Sequence, residues 1–128
     1  MKENLKKLKE EYQGWNLIQK KGCMTQNIGF HGNLFGGDML RWIDEAAATY
    51  VSEAIGNRPV VTLKISEVLF KHPVKAGEVV NIDGNITKIG NTSITLDIRV
   101  INVKTNIVVC TTTMVFVCVD ESMNPQQI

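Results

Sequence analysis

An α+β domain, one principal helix packed on a mostly antiparallel sheet, is the fold class predicted by three features of the sequence. Residues 38–55 carry apolar side chains at helical spacing. Four long segments rich in Val, Ile and Thr follow, at 60–70, 79–89, 92–103 and 107–119. A few turn-forming residues join each to the next, too few for the crossover that parallel strands need. Strands and helices do not alternate, so neither a doubly wound sheet nor a barrel is expected.

Residues 3–13 read as a short amphipathic helix, with Leu5, Leu8 and Tyr12 as its apolar stripe among Lys and Glu. A short strand is expected around Leu17 and Ile18. Residues 27–37 (NIGFHGNLFGG) hold four glycines, which signals unusual backbone angles or close approach of another group. The helix over 38–55 is stopped by Gly56 and Asn57, and Pro59 guards its exit. Along 60–70, Val61, Leu63 and Ile65 would share one face and Thr62, Lys64 and Ser66 the other. That alternation slips near Glu67, as at a β-bulge. Turns fall at 73–77, at Gly90-Asn91 and at 104–106.

A chain of 128 residues with a net charge of +1 reads as one domain over 1–128 with no electrostatic case for nucleic acid. No run approaches the ~18 apolar residues of a membrane span, and the Lys- and Glu-rich start lacks a secretory apolar stretch. The cytoplasm is therefore the expected compartment. Cys23, Cys110 and Cys118 lack metal-ligand spacing and are expected to be buried reduced thiols. Cys110 and Cys118 fall on one strand, too far apart to bridge.

The helix carries one acid out of place. Arg41, Glu45, Thr49 and Ser52 make its polar stripe, but Asp44 lies outside it, among Leu40, Ala47, Ala48 and Val51. A carboxylate buried there is either hydrogen-bonded into the fold or kept for chemistry. The other acids read more simply. Asp38 suits the first helical turn, Glu45 pairs with Arg41, and Glu53 is solvated. Gly36 and Gly37 leave backbone N–H groups open at the helix start, where developing negative charge on oxygen is stabilised. An oxyanion site and a carboxylate two turns apart suit attack on a carbonyl. His31 and Asn33 either orient water or substrate, or hold the glycine-rich loop by local hydrogen bonds. His72 reads as a surface turn residue. The chain has no GxSxG nucleophile elbow and no zinc-ligand spacing, so no metal is expected.

The run from His31 to Ala47, HGNLFGGDMLRWIDEAA, resembles the signature of hot-dog-fold acyl-CoA thioesterases, most nearly the YciA-like, cytosolic acyl-CoA hydrolase type. FKHPVKAGE at 70–78, GNTS at 90–93 and FVCVD at 116–120 extend the resemblance over about residues 17–121. It implies a long central helix wrapped by a five-stranded antiparallel sheet. It also implies homodimers with two interface sites, and possibly hexamers built as trimers of dimers. Asp44 would then be general base or nucleophile, with Gly37 and Asp38 of the partner helix start supplying the oxyanion donors. His31 and Asn33 complete the candidate catalytic set. The acyl-CoA substrate would meet Asn27, Phe35 and Gly36 in the loop and Thr62 on the first long strand. Lys71, Gly90, Asn91 and Ser93 would touch it from later turns. Related proteins often carry Asn where this chain has Gly29; Asn27, His31 and Asn33 are the candidates for that polar role. No cofactor is implied beyond the coenzyme A of the substrate. Two rival readings follow from the same fold: a non-catalytic acyl-CoA sensor, and a 3-hydroxyacyl dehydratase or enoyl hydratase using His31 and Asp44.

Overall fold

The computed structural model describes residue 8 and residues 10–128. The expected helix over 3–13 therefore falls largely outside the described residues. Within them Leu8, Glu10 and Glu11 are helical, and the Tyr12 N–H donates to the Leu8 carbonyl at 3.1 Å.

Five strands form one sheet: β1 (Asn16–Gly22), β2 (Val60–Phe70), β3 (Val79–Ile89), β4 (Ser93–Asn102) and β5 (Ile107–Cys118). Their order is β1-β3-β4-β5-β2, with every pair antiparallel. The long helix α1 (Gly36–Ala54) lies on one face. The expected α+β architecture, a central helix on a five-stranded antiparallel sheet, is what the chain adopts.

Alternation explains the core. Along β4, Ile94, Leu96, Ile98 and Val100 are buried while the residues between them are half-exposed. One face of the sheet thus packs inward and the other meets solvent. Opposite it, Met39, Trp42, Ile43, Ala46, Ala47 and Val51 give α1 a buried stripe. Cys23, Cys110 and Cys118 are free and buried, as expected.

Two boundaries differ from expectation. The helix starts at Gly36, two residues early, although glycine is a poor helix former. The start is imposed from outside: the Phe35 carbonyl accepts the Asp38 and Met39 N–H groups at 3.0 and 3.1 Å. The Phe35 N–H is itself held by the Asn27 carbonyl at 2.8 Å. On β2 the pairing with β5 slips twice, between Thr62 and Lys64 and between Ser66 and Leu69. The second slip matches the expected bulge near Glu67, whose φ is +28°. The first overturns the expected Val61-Leu63-Ile65 face, because Leu63 is the extra residue and is 66% exposed. At its far end α1 stops as expected, with Gly56 and Asn57 both at positive φ.

Candidate active site

Asp44 lies midway along α1, on the flank that faces edge strand β2. Thr62 pairs across the ladder with Phe116, which is buried under the helix, so its side chain points to the helix side of the sheet. Its Oγ1 donates to Asp44 Oδ1 at 2.7 Å. Asp44 is half-buried rather than enclosed by apolar neighbours as expected. Among the described residues, β2 is the last strand of the sheet on that side.

The helix start is bounded by two aromatic rings. Phe35, exposed, precedes α1, and a Cβ placed on Gly37 would sit 2.7 Å from its Cε1. A Cβ on Gly36 would lie 3.5 Å from the Phe70 ring. Only glycine lets the Phe35 ring lie along the backbone at Gly37. The first N–H groups of a helix lack intrahelical acceptors, and those of Gly36 and Gly37 point out of the N-terminus of α1. The Asp38 N–H already donates to the Phe35 carbonyl. The open donor pair is therefore Gly36 and Gly37, not the expected Gly37 and Asp38, because α1 begins two residues early.

The loop before the helix is tied down by its backbone. Ile28 and Leu34 form an isolated antiparallel bridge, and the Gly29 N–H donates to the Asn33 carbonyl at 2.8 Å. Gly32 turns the tip at φ +81°. His31 is exposed, edge-on to Phe30 at 5.2 Å, and Phe30 is 98% exposed. Among the described residues neither the His31 nor the Asn33 side chain has a hydrogen-bond partner, so neither holds the loop.

Asn27 does. It is 8% exposed, and its Oδ1 accepts the Met24 N–H at 2.9 Å. Its Nδ2 donates to Asp38 Oδ2 at 3.1 Å. Asn27, expected among the substrate contacts, is thus an internal fastening with its polar groups already engaged. Asp38 also faces Arg41 at 3.9 Å, and Arg41 faces Glu45 at 3.8 Å. The second is an exposed pair of small energetic weight, and the first is half-exposed.

The remaining candidates divide. Lys71 lies beside the helix start, on an open groove of about 270 Å³ that Gly36, Met39, Phe70, His72 and Val74 also line. Gly90, Asn91 and Ser93, expected among the substrate contacts, lie at the turn that leads into β4. The Gly90 N–H donates to the Ser93 carbonyl, and the Asn91 carbonyl accepts the Ile128 N–H. Ser93 precedes buried Ile94, so its side chain is on the sheet face away from the helix. Its Oγ lies 2.9 Å from where a Gly90 Cβ would be. Two strand spacings, about 10 Å, separate this turn's strand from the one that bears Thr62.

A family model described as the thioesterase superfamily matches residues 31–109. The acyl-CoA thioester hydrolase YciA of Salmonella typhimurium is 31% identical over 84 residues, 66% of this chain and 62% of the relative. The chain thus spans less than two thirds of the length of the first curated relatives it matches. Among solved structures, a hexameric thioesterase from Yersinia pestis superposes with a TM-score of 0.83 at 27% identity. That match covers 88% of this chain and 93% of the other. A hexameric hotdog fold thioesterase of Campylobacter jejuni superposes with a TM-score of 0.77 at 27% identity, covering 88% and 89% of the two chains.

Proposed function

Because the chain belongs to the thioesterase superfamily and has its hot-dog fold, we propose that it hydrolyses acyl-CoA thioesters, with Asp44 as the reacting carboxylate. The observation that carries this reading is a carboxylate with one oxygen bound by Thr62, on the same helix whose first turn leaves two N–H donors open.

The geometry also favours a site built from two copies. Asp44 is seven residues beyond Gly37, so at about 1.5 Å per residue the two are about 10 Å apart along the helix. A base must come within about 3 Å of the proton it takes. One chain cannot bring both groups to the same carbonyl, whereas the acid of one copy and the helix start of another can meet on it. The unpaired edge of β2 beside Asp44, with Leu63 exposed, is a natural join between copies. That the Yersinia and Campylobacter proteins are hexameric supports further assembly.

In this scheme the thioester oxygen sits on the Gly36 and Gly37 N–H groups, which stabilise it as negative charge develops. Asp44 either takes a proton from an attacking water or attacks the carbonyl itself, forming an anhydride that water opens. The C–S bond breaks, the thiolate of coenzyme A takes up a proton, and the acid is released. His31 and Asn33 are free to meet the substrate, and Lys71 to meet coenzyme A phosphate. No cofactor is required.

The test is release of free thiol from a panel of acyl-CoAs, short to long, by wild type and Asp44→Asn. Wild-type release that falls by ~10²–10⁴ in a folded variant is expected. Binding without release from any member would replace this reading with the sensor. Loss of enoyl absorbance without thiol release would favour the hydratase.

A further inference from the structure

The polar groups of Asn27 bracket the helix start on both sides. Its carbonyl holds the Phe35 N–H at 2.8 Å, immediately before the open Gly36 and Gly37 donors. Its amide holds the Asp38 carboxylate at 3.1 Å, immediately after them. Its own N–H donates to the Met24 carbonyl at 3.0 Å, and its Oδ1 accepts the Met24 N–H at 2.9 Å. The residue is 8% exposed, so its own polar groups are largely shielded from water.

From this geometry we infer that Asn27 is a positioning residue for the oxyanion donors, acting through Phe35 and Asp38 without touching substrate; the inference rests on the thioesterase reading above. Two effects combine. The first is orientation: Gly36 and Gly37 are flexible and uncapped by any side chain at Phe35, so the donors point where their flanking residues hold them. The second is charge. Asp38 is the third residue of α1, in the first turn, where a carboxylate lies close to the exposed N–H groups of the helix start. A carboxylate turned toward those donors would oppose the negative charge of the oxyanion. Asn27 from one side, and Arg41 at 3.9 Å from the other, draw it away.

The test uses the full chain and three variants, Asn27→Asp, Asn27→Ala and Asn27→Asp with Asp38→Asn, each checked for folding by thermal unfolding. Asn27→Asp sets two carboxylates against each other, and Asn27→Ala removes the amide. In either, kcat is expected to fall by roughly ten- to a hundredfold, the scale of a misplaced catalytic group, while KM changes by about twofold or less. The double variant restores the bond with donor and acceptor exchanged, because an Asn amide at 38 can donate to a carboxylate at 27, and kcat is expected to recover most of its loss. Asn27→Ala keeps the test open if Asn27→Asp does not fold. Wild-type kcat in a folded single variant overturns the inference, as does a folded double variant as slow as Asn27→Asp. Absence of thiol release by wild type itself would instead sink the thioesterase reading.

Discussion

Thr62 Oγ1 donates to Asp44 Oδ1 across 2.7 Å, joining an edge strand to the middle of the long helix. The bond takes one lone pair of the carboxylate and leaves the second oxygen without a hydrogen-bond partner among the described residues. A helical aspartate has few rotamers, and a bond to a neighbouring strand selects one. The bulge immediately after Thr62 breaks the ladder where this contact is made.

Thr62→Val removes the hydroxyl and keeps the shape of the side chain. Under the proposed function, kcat for thiol release should fall by about tenfold, in keeping with a hydrogen bond to a charged group. Thr62→Ser retains the donor and should keep most of the activity. Steady-state kinetics on the two variants decides the matter. Equal activity in both would mean that the hydroxyl is not needed to hold Asp44.

Gly36 and Gly37 should respond differently to alanine. In a helix this change ordinarily stabilises by about 1 kcal/mol. At Gly36 the new methyl meets the Phe70 ring at an ordinary 3.5 Å, so thermal stability should rise. At Gly37 it meets Phe35 Cε1 at 2.7 Å, so the ring must move. Gly37→Ala should gain no stability and should lose activity, as the Phe35 ring shifts from beside the donors. A rise in melting temperature for Gly37→Ala equal to that for Gly36→Ala would show that the ring yields freely.

Much of the fold was legible because its signals are local. The Val- and Ile-rich runs at 60–70 and 79–89 coincide with β2 and β3, since β-branched residues between turn formers have few other solutions. Asp44 stood out because helical spacing alone separates it from the polar stripe. The exceptions are set by contacts distant in sequence. The helix begins at Gly36 because Asn27 holds Phe35, which no propensity encodes. Leu63 fits the alternation of β2, yet its place in the bulge depends on the register of β5. Asn27 reads as one more polar loop residue, since Asp38, which it fastens, is eleven positions away.

The buried thiols predict an alkaline limit to stability. Burial pushes the Cys110 thiol from its ordinary 9.0 up to about 11. In the unfolded chain this thiol ionises near 9.0, whereas the fold keeps its proton to about 11. Between those values the unfolded chain has lost a proton that the folded one retains, so raising the pH favours unfolding. The contribution is fully present below pH 9 and is lost as pH rises through about 11. Burial also raises Tyr12 and Tyr50, which add to the same trend. Urea unfolding across this range should show stability falling, and Cys110→Val should flatten part of the fall. Burial raises the Cys23 thiol as well, so an unchanged slope in that variant would assign the effect to Cys23 and the tyrosines.

The proposed two-copy site would make association and activity inseparable, and Leu63 is the place to test it. This side chain is 66% exposed on an unpaired edge strand, one residue from Thr62. An exposed edge with a large apolar residue and no covering element is a template for another strand. Leu63→Lys places a charge at that join while leaving the core of each chain untouched. Sedimentation analysis should show the variant dissociating at concentrations where wild type is associated, with thiol release falling in parallel and recovering as the variant is concentrated. Asp44 and the helix-start donors would then be shown to act across copies, as their separation of about 10 Å requires. A monomeric variant with full activity would mean that one chain brings acid and donors together by bending α1, and the two-copy site would have to be given up.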